Sequence, residues 1–171
     1  MPTMRLLHLG LFAQTFLDAA GIPAPSDMQG ESLMPLLTGN GNQWTREAVY
    51  YHYYEYPAVH MVKRHYAIIT KDYKLVHYYF DVDEWELIDR KNDPNEMRNV
   101  YDDPAYAEIK KQLHAQLDGL REKYGDNSQI SQSYIDRYLQ DISKQRAFGA
   151  NQQKVKEILD KKGLKAAYEF D

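Results

Sequence analysis

Three short runs rich in Tyr, Val and Ile constrain this chain most: "VKRHYAIIT" (Val62–Thr70), "YKLVHYYF" (Tyr73–Phe80) and "WELID" (Trp85–Asp89). β-Branched and aromatic residues favour a pleated, half-buried surface, and the short polar breaks between the runs leave no room for the crossover that parallel strands need. The spacing predicts an antiparallel meander, with "EAVYYHYY" (Glu47–Tyr54) as a further strand. From Asp103 the period changes. Tyr106, Ile109, Leu113, Leu117, Leu120 and Tyr124 step by three and four, with Asp103 as cap, Pro104 in the first turn and Gly125 at the exit. A helix over Pro104–Tyr124 is expected to lie on one face of the sheet. The fold class is therefore α+β: a small antiparallel four-stranded sheet covered by a long C-terminal helix, plus a helical tail. Its other face is left to be explained.

The organisation reads as three parts. Residues 1–46 hold an N-terminal helix and an irregular connection, residues 47–125 the sheet and its packing helix, and residues 126–171 a helical tail. In the first part Phe12, Phe16, Leu17 and Ala20 fall at helical spacing before Gly21, which suits a core helix ending on a glycine cap. Arg5 followed by an apolar run also resembles a short signal peptide, but His8 interrupts it and the core helix is preferred. Prolines and glycines then mark a loop, with a short helical turn at Ser32–Leu37. In the tail, Ile135, Tyr138, Leu139 and Ile142 form one narrow stripe and Val155, Ile158 and Leu159 another, the pattern of docked or loosely ordered appendages. No run is long and apolar enough to span a bilayer.

Composition removes several chemistries. A net charge of −4 gives no basic field for nucleic acid, and the absence of Cys removes disulfides, thiolate metal sites and cysteine nucleophiles. No Gly-x-Ser-x-Gly elbow, phosphate-binding glycine loop or His-Glu-x-x-His spacing is present. "DVDEWE" alternates Asp81 and Asp83 but lacks the glycine and the distal Glu of a calcium loop, so a solvated hairpin tip is expected. Neither a catalytic residue nor a metal ligand is assigned. The densest polar cluster is "YYEYPAVHMVKRH", Tyr53 to His65. Pro57 frees a loop carrying His60, and Lys63 and His65 should share one strand face while Arg64 takes the other. Cations, imidazoles and tyrosines suit an anionic sugar, because Arg and Lys hold sulfate or carboxylate while aromatic rings cover the apolar face. Strand edges also carry Lys and Arg simply to discourage pairing with another sheet, and the segment alone slightly favours that use.

The stretch "WELIDRKNDPNEMRN" places Asp93, Pro94 and Glu96 as a rigid corner, with Asp as N-cap, Pro at the first helical position and Glu at the third. Ala13, Thr15, Leu17, Asp18, Ala20 and Gly21 come first along the chain. Gly30, Ser32 and Leu33 follow, then Tyr73, Lys74 and Leu75, then Leu87, Asp89, Asp93, Pro94, Glu96 and Asn99. In that order and at that spacing these residues resemble the C-terminal part of the type I, formylglycine-dependent sulfatases of the alkaline phosphatase superfamily, over about Phe12 to Tyr124. Departures at Gln14, Ile88, Arg90 and Val100 are packing changes.

The resemblance implies a sulfatase C-terminal subdomain, with the corner at Asp93–Glu96 as its strand-to-helix junction. The full-length family uses calcium and a formylglycine made in a Cys/Ser-x-Pro-x-Arg motif. This chain has neither Cys nor such a Ser motif, so no cofactor is assigned to it and alone it is expected to be inactive. It reads as a truncated, frameshifted or excised frame. Within the family it is most similar to the subgroup acting on 6-O-sulfated N-acetylglucosamine of glycosaminoglycan or mucin glycans. That makes Tyr54, Glu55, His60, Lys63, Arg64 and His65 candidate substrate-binding residues, with Tyr54 as a stacking platform. The implied partners are a sulfated glycan and either the missing catalytic domain or a second copy through the N-terminal third, where Phe12, Phe16, Leu17, Leu33, Leu36 and Leu37 would be left exposed. Family members are mostly exported. The alternatives are a free-standing glycan-binding or protein-interaction module without catalysis, and a remnant with no function.

Overall fold

The computed structural model describes residues 11–57, 61–142 and 152–163. The chain forms two compact units, Met1–Val49 and Tyr50–Asp171. In the first, helix α1 (Phe12–Ala19) and the single turn α2 (Met34–Leu37) are tied by hydrogen bonds rather than by a large apolar core. Thr15 is buried. Its hydroxyl donates to the Leu11 carbonyl (2.7 Å) and accepts from the Leu33 N–H (2.8 Å). One turn on, Asp18 accepts from the Ser32 hydroxyl (2.5 Å), which itself accepts from the Met34 N–H. Thr15 and Asp18 lie three apart on one helix face, so the two N-terminal sequence motifs are one hydrogen-bonded structure. The core-helix expectation is corrected here: Phe12 and Phe16 are 47% and 69% exposed, stacked on each other with centroids 6.3 Å apart. The buried side of α1 is the Leu11–Thr15 side, because that is where the loop supplies partners.

Strands β1 (Ala48–Tyr53), β2 (His65–Thr70), β3 (Tyr73–Tyr78) and β4 (Glu84–Asp89) form a sheet in the order β1-β2-β3-β4. β2 pairs antiparallel with β3, and β3 with β4, in the register Ile68↔Leu75 and Leu75↔Leu87. Directly paired residues share a face. Tyr66, His77 and Trp85 therefore stand beside Ile68, Leu75 and Leu87, while Ala67, Val76 and Glu86 point the other way. β2 begins three residues later than the sequence predicts. The ring Nδ1–H of His65 donates to the Lys63 carbonyl (2.6 Å), a local bond that competes with the ladder, and Met61 takes a left-handed φ of 50°.

Helix α3 (Ala107–Lys123) follows a 3-10 turn at Pro104–Tyr106, whose start Asp103 caps by accepting from the Ala105 N–H. Leu113 and Leu117 are buried, and α3 packs on β2 and β3, as the stripe requires. Ala67, Val76 and Ile88, on the opposite face, are buried too. Helices α4 (Ser128–Ile142) and α5 (Gln152–Lys161) bury Ile135, Val155 and Leu159, so the described part of the tail is docked; Tyr138, Leu139 and Ile142 lie outside the described side chains.

The corner after β4 differs from the expected helix start. Asp93 Oδ2 accepts from the N–H groups of Met97 (2.7 Å) and Arg98 (2.8 Å), four and five residues on, and Glu96 sits at φ 54°. Glu96 does not reach back to the cap. It forms ion pairs with Lys74 and with Arg90 (3.1 Å), which makes a tight turn clamped to the sheet. Asn99 then acts as a short fifth strand. Its Oδ1 accepts from the Leu87 and Tyr101 N–H groups, its Nδ2 donates to the Trp85 carbonyl, and the Val100 N–H donates to the Leu87 carbonyl. The outer edge of β4 is thereby closed to other strands.

Candidate functional site

The described residues among those singled out from sequence do not form one cluster. Arg64 is fully buried and lies 4.2 Å from the centroid of the Phe80 ring. His65 faces Tyr51, Tyr53 and Tyr78 on the sheet face opposite α3. Tyr54 goes to the α3 side, stacked on His52 with centroids 3.8 Å apart and against Tyr134 of α4. Tyr54 is half-buried and packs against both rings. Lys63 approaches Asp81 at 3.7 Å and stays 43% exposed at its side chain, and Glu55 is exposed. His60 lies outside the described residues. Lys63 and Glu55 thus remain at the surface, while Arg64, His65 and Tyr54 anchor the chain on either side of the loop.

A second polar constellation, which sequence reasoning did not find, is built on the α3 side. Gly125, at φ 65°, ends the helix region: its N–H donates to the Glu122 carbonyl and the Asp126 N–H to the Arg121 carbonyl (2.8 Å). This paired closure turns the chain sharply and delivers the Asp126 carboxylate to β1. Asp126 accepts from His52 Nδ1 (2.6 Å), from the Tyr50 hydroxyl and from Ser131 Oγ (3.2 Å). Because Nδ1–H points at a carboxylate, the neutral ring presents Nε2 as an acceptor, and the Tyr79 hydroxyl donates to it (2.5 Å). Burial pushes His52 below its ordinary value, outweighing the pull of Asp126. Burial also pushes Asp126 up, but hydrogen bonds from Tyr50 and His52 hold it below the usual carboxylate range. Burial, more than any neighbour, pushes the Tyr79 phenol up, so it stays protonated.

A parallel chain runs beside it. His77 Nε2–H donates to Asp83 (2.7 Å), and the Tyr66 hydroxyl donates to His77 Nδ1 (2.8 Å) while accepting from Arg121 Nη1 (3.2 Å). The rings are joined edge to face: His52 to Tyr66 at 5.5 Å and Tyr66 to His77 at 5.0 Å, with Trp85 stacked on His77 at 4.1 Å. The "YYHYY" alternation in β1 hinted at such a face. Nothing in the sequence linked His52 to Asp126, 74 positions away.

Residues 6–123 match the family model described as N-sulphoglucosamine sulphohydrolase, C-terminal. The chain belongs to that sulfatase family. It is 53% identical over 119 residues to an N-acetylglucosamine-6-O-sulfatase of Bacteroides thetaiotaomicron, covering 68% of this chain and 21% of the relative. A Delta 4,5-hexuronate-2-O-sulfatase of the same organism is 35% identical over 118 residues, 68% of this chain and 23% of its own length. Among solved structures, that of BT4656 in complex with its substrate D-glucosamine-2-N,6-O-disulfate superposes with a TM-score of 0.65 at 52% identity, over 69% of this chain and 24% of that one. The chain therefore spans less than a quarter of the length of these two sulfatases, and what it matches is the sulfatase C-terminal subdomain, an α+β unit with a four-stranded antiparallel sheet. Helices α4 and α5 lie beyond the matched residues. Among the described residues no group of three or more His, Asp or Glu is placed to hold a metal ion, and no Cys is present for a formylglycine, so no catalytic step is derived through either group.

Proposed function

We propose that this chain serves as the C-terminal subdomain of a sulfuric ester hydrolase acting on 6-O-sulfated N-acetylglucosamine in glycosaminoglycan or mucin glycans. In this reading the nucleophile and metal come from a catalytic domain, and this chain supplies structure and part of the substrate rim. The observation that carries the proposal is the 53% identity to an N-acetylglucosamine-6-O-sulfatase, against 35% to a sulfatase of different regiochemistry. The exposed Phe12–Phe16 pair, with Leu37 69% exposed, supports a docking role for the first unit, since apolar side chains gathered at a surface mark interaction sites. The surface-exposed Glu55 and Lys63, with His60 between them in sequence, are the rim groups. Lys63 offers a cation to a sulfate, and Arg64, His65 and Tyr54 fix the ends of the segment.

The test is complementation. The full chain is mixed with the Bacteroides N-acetylglucosamine-6-O-sulfatase shortened by its matching C-terminal region, and release of sulfate from N-acetylglucosamine 6-sulfate is followed. The chain alone should give no turnover and the mixture should regain it, with Lys63→Ala raising KM rather than lowering kcat. A mixture that neither associates nor turns over would refute the reading and favour an independent binding module.

A further inference from the structure

Between the α3-side sheet face and helix α4 lies a cavity of about 340 Å3, walled by Tyr66, Tyr79, Phe80, Arg121, Gln132 and Ile135. Its chemistry is set by the two Tyr–His–Asp chains that end in it. Tyr79 commits its proton to His52, and Tyr66 commits its proton to His77, because each imidazole spends its N–H on a carboxylate. Both phenols therefore present lone pairs. Tyr66 uses one on Arg121, whereas among the described residues the Tyr79 hydroxyl has no hydrogen bond besides the one to His52. Tyr79 is thus a fixed acceptor. The Arg121 guanidinium carbon lies over the Tyr66 ring, 4.2 Å from its centroid, in ion-pair contact with no carboxylate among the described residues, and its buried Nε has no hydrogen-bond partner among them. Lys162 adds a second cation over Phe80, donating to the Phe80 carbonyl. Of the carboxylates around this set, Asp126 is spent on His52, Tyr50 and Ser131, Asp83 accepts from His77, and Asp136 accepts from Gln132.

We propose that this cavity is a second carbohydrate site that holds one anionic hexose unit, distinct from the Glu55–Lys63 rim. Aromatic walls cover the apolar face of the sugar ring, Tyr79 oxygen accepts from a sugar hydroxyl, Arg121 meets the anionic substituent, and Gln132 contacts the exposed side. The volume suits a small ligand of one or two sugar units. Gln132 and Ile135 belong to α4, outside the residues matched to the sulfatase family, so the site is a property of this chain's own tail. The choice of a sulfated sugar as ligand rests on the proposed function, whereas the cavity and its polarity do not.

The experiment is an NMR titration of the full-length chain with glucosamine 6-sulfate, glucuronate, glucose and inorganic sulfate. Glucosamine 6-sulfate or glucuronate should give saturable shifts at Tyr79, Arg121 and Gln132, with glucose at least about tenfold weaker, the scale of one charge-assisted hydrogen bond. Arg121→Gln should weaken binding by a similar factor and Lys63→Ala should leave it unchanged. Gln132→Ala, at an exposed helical position, tests the same cavity without risk to the fold. Three results would overturn the proposal: no saturable shift at cavity residues, inorganic sulfate binding as well as the sugars, or loss of binding in Lys63→Ala with none in Arg121→Gln or Gln132→Ala. Failed complementation with the shortened sulfatase would remove the proposed function and leave this titration to stand by itself.

Discussion

Replacing Asn99 by Ala tests the edge closure that explains the most specific motif in the chain. Asn99 accepts from the Leu87 N–H and the Tyr101 N–H and donates to the Trp85 carbonyl, all at 3.0 Å. Leu87 is 0% exposed, so truncation leaves a buried donor with no acceptor, at a cost of about 1–3 kcal/mol. The other two bonds lie nearer solvent, where water replaces part of what is lost, and each should add at most about 1 kcal/mol. The expected total is about 1–5 kcal/mol, a sizeable part of the margin of a small domain. Asn99→Asp keeps both accepted bonds but faces the Trp85 carbonyl with an oxygen, so it should destabilise less than Ala. Urea unfolding followed by tryptophan fluorescence gives the free energies, and hydrogen exchange at the Leu87 amide locates the effect. A loss below about 0.5 kcal/mol for Asn99→Ala, with Leu87 protection unchanged, would refute the reasoning and show that the Val100–Leu87 bond closes the edge unaided.

Leu117→Ala should cost about 2–5 kcal/mol, since Leu117 is 1% exposed where α3 lies on the sheet, and calorimetry or urea unfolding showing under about 1 kcal/mol would contradict the two-layer packing. Stability should fall on acidification in two stages. The folded-state value of His52 is depressed, so the unfolded chain takes up its proton first and stability drops as pH falls below about 6.5, by at most about 1.4 kcal/mol per pH unit. Asp126, also depressed, contributes stability that is present above about pH 3.9 and is lost as pH falls through its lower folded value. His52→Gln should flatten the first stage, and an unaltered pH profile in that variant would show that His52 does not cause it. Phe12→Ser with Phe16→Ser should reduce self-association measured by light scattering while lowering the unfolding midpoint only slightly, because the rings are 47% and 69% exposed; a large drop in the midpoint would place them in a core.

Most of the fold was legible because it is written in local periods. The strand pattern and short breaks determined the meander, and the three–four spacing through Leu113 and Leu117 determined α3, since a period of two or of 3.6 fixes which residues share a face. The family motifs were legible as well, but their physical meaning was not. Thr15 holding Leu33, Asp93 reaching Met97 and Arg98, and Asn99 standing in for a strand are hydrogen bonds whose partners only the folded backbone brings near. The polar site was the least readable. Sequence proximity put Tyr54, Lys63, Arg64 and His65 together, yet the sheet separates them, because side chains on a strand alternate and a loop resets the phase between β1 and β2. His52 and Asp126 carry no local signal at all. They meet only because Gly125 turns the chain at the end of α3 and the sheet presents His52 there, a coincidence of two distant backbones that only the tertiary structure decides.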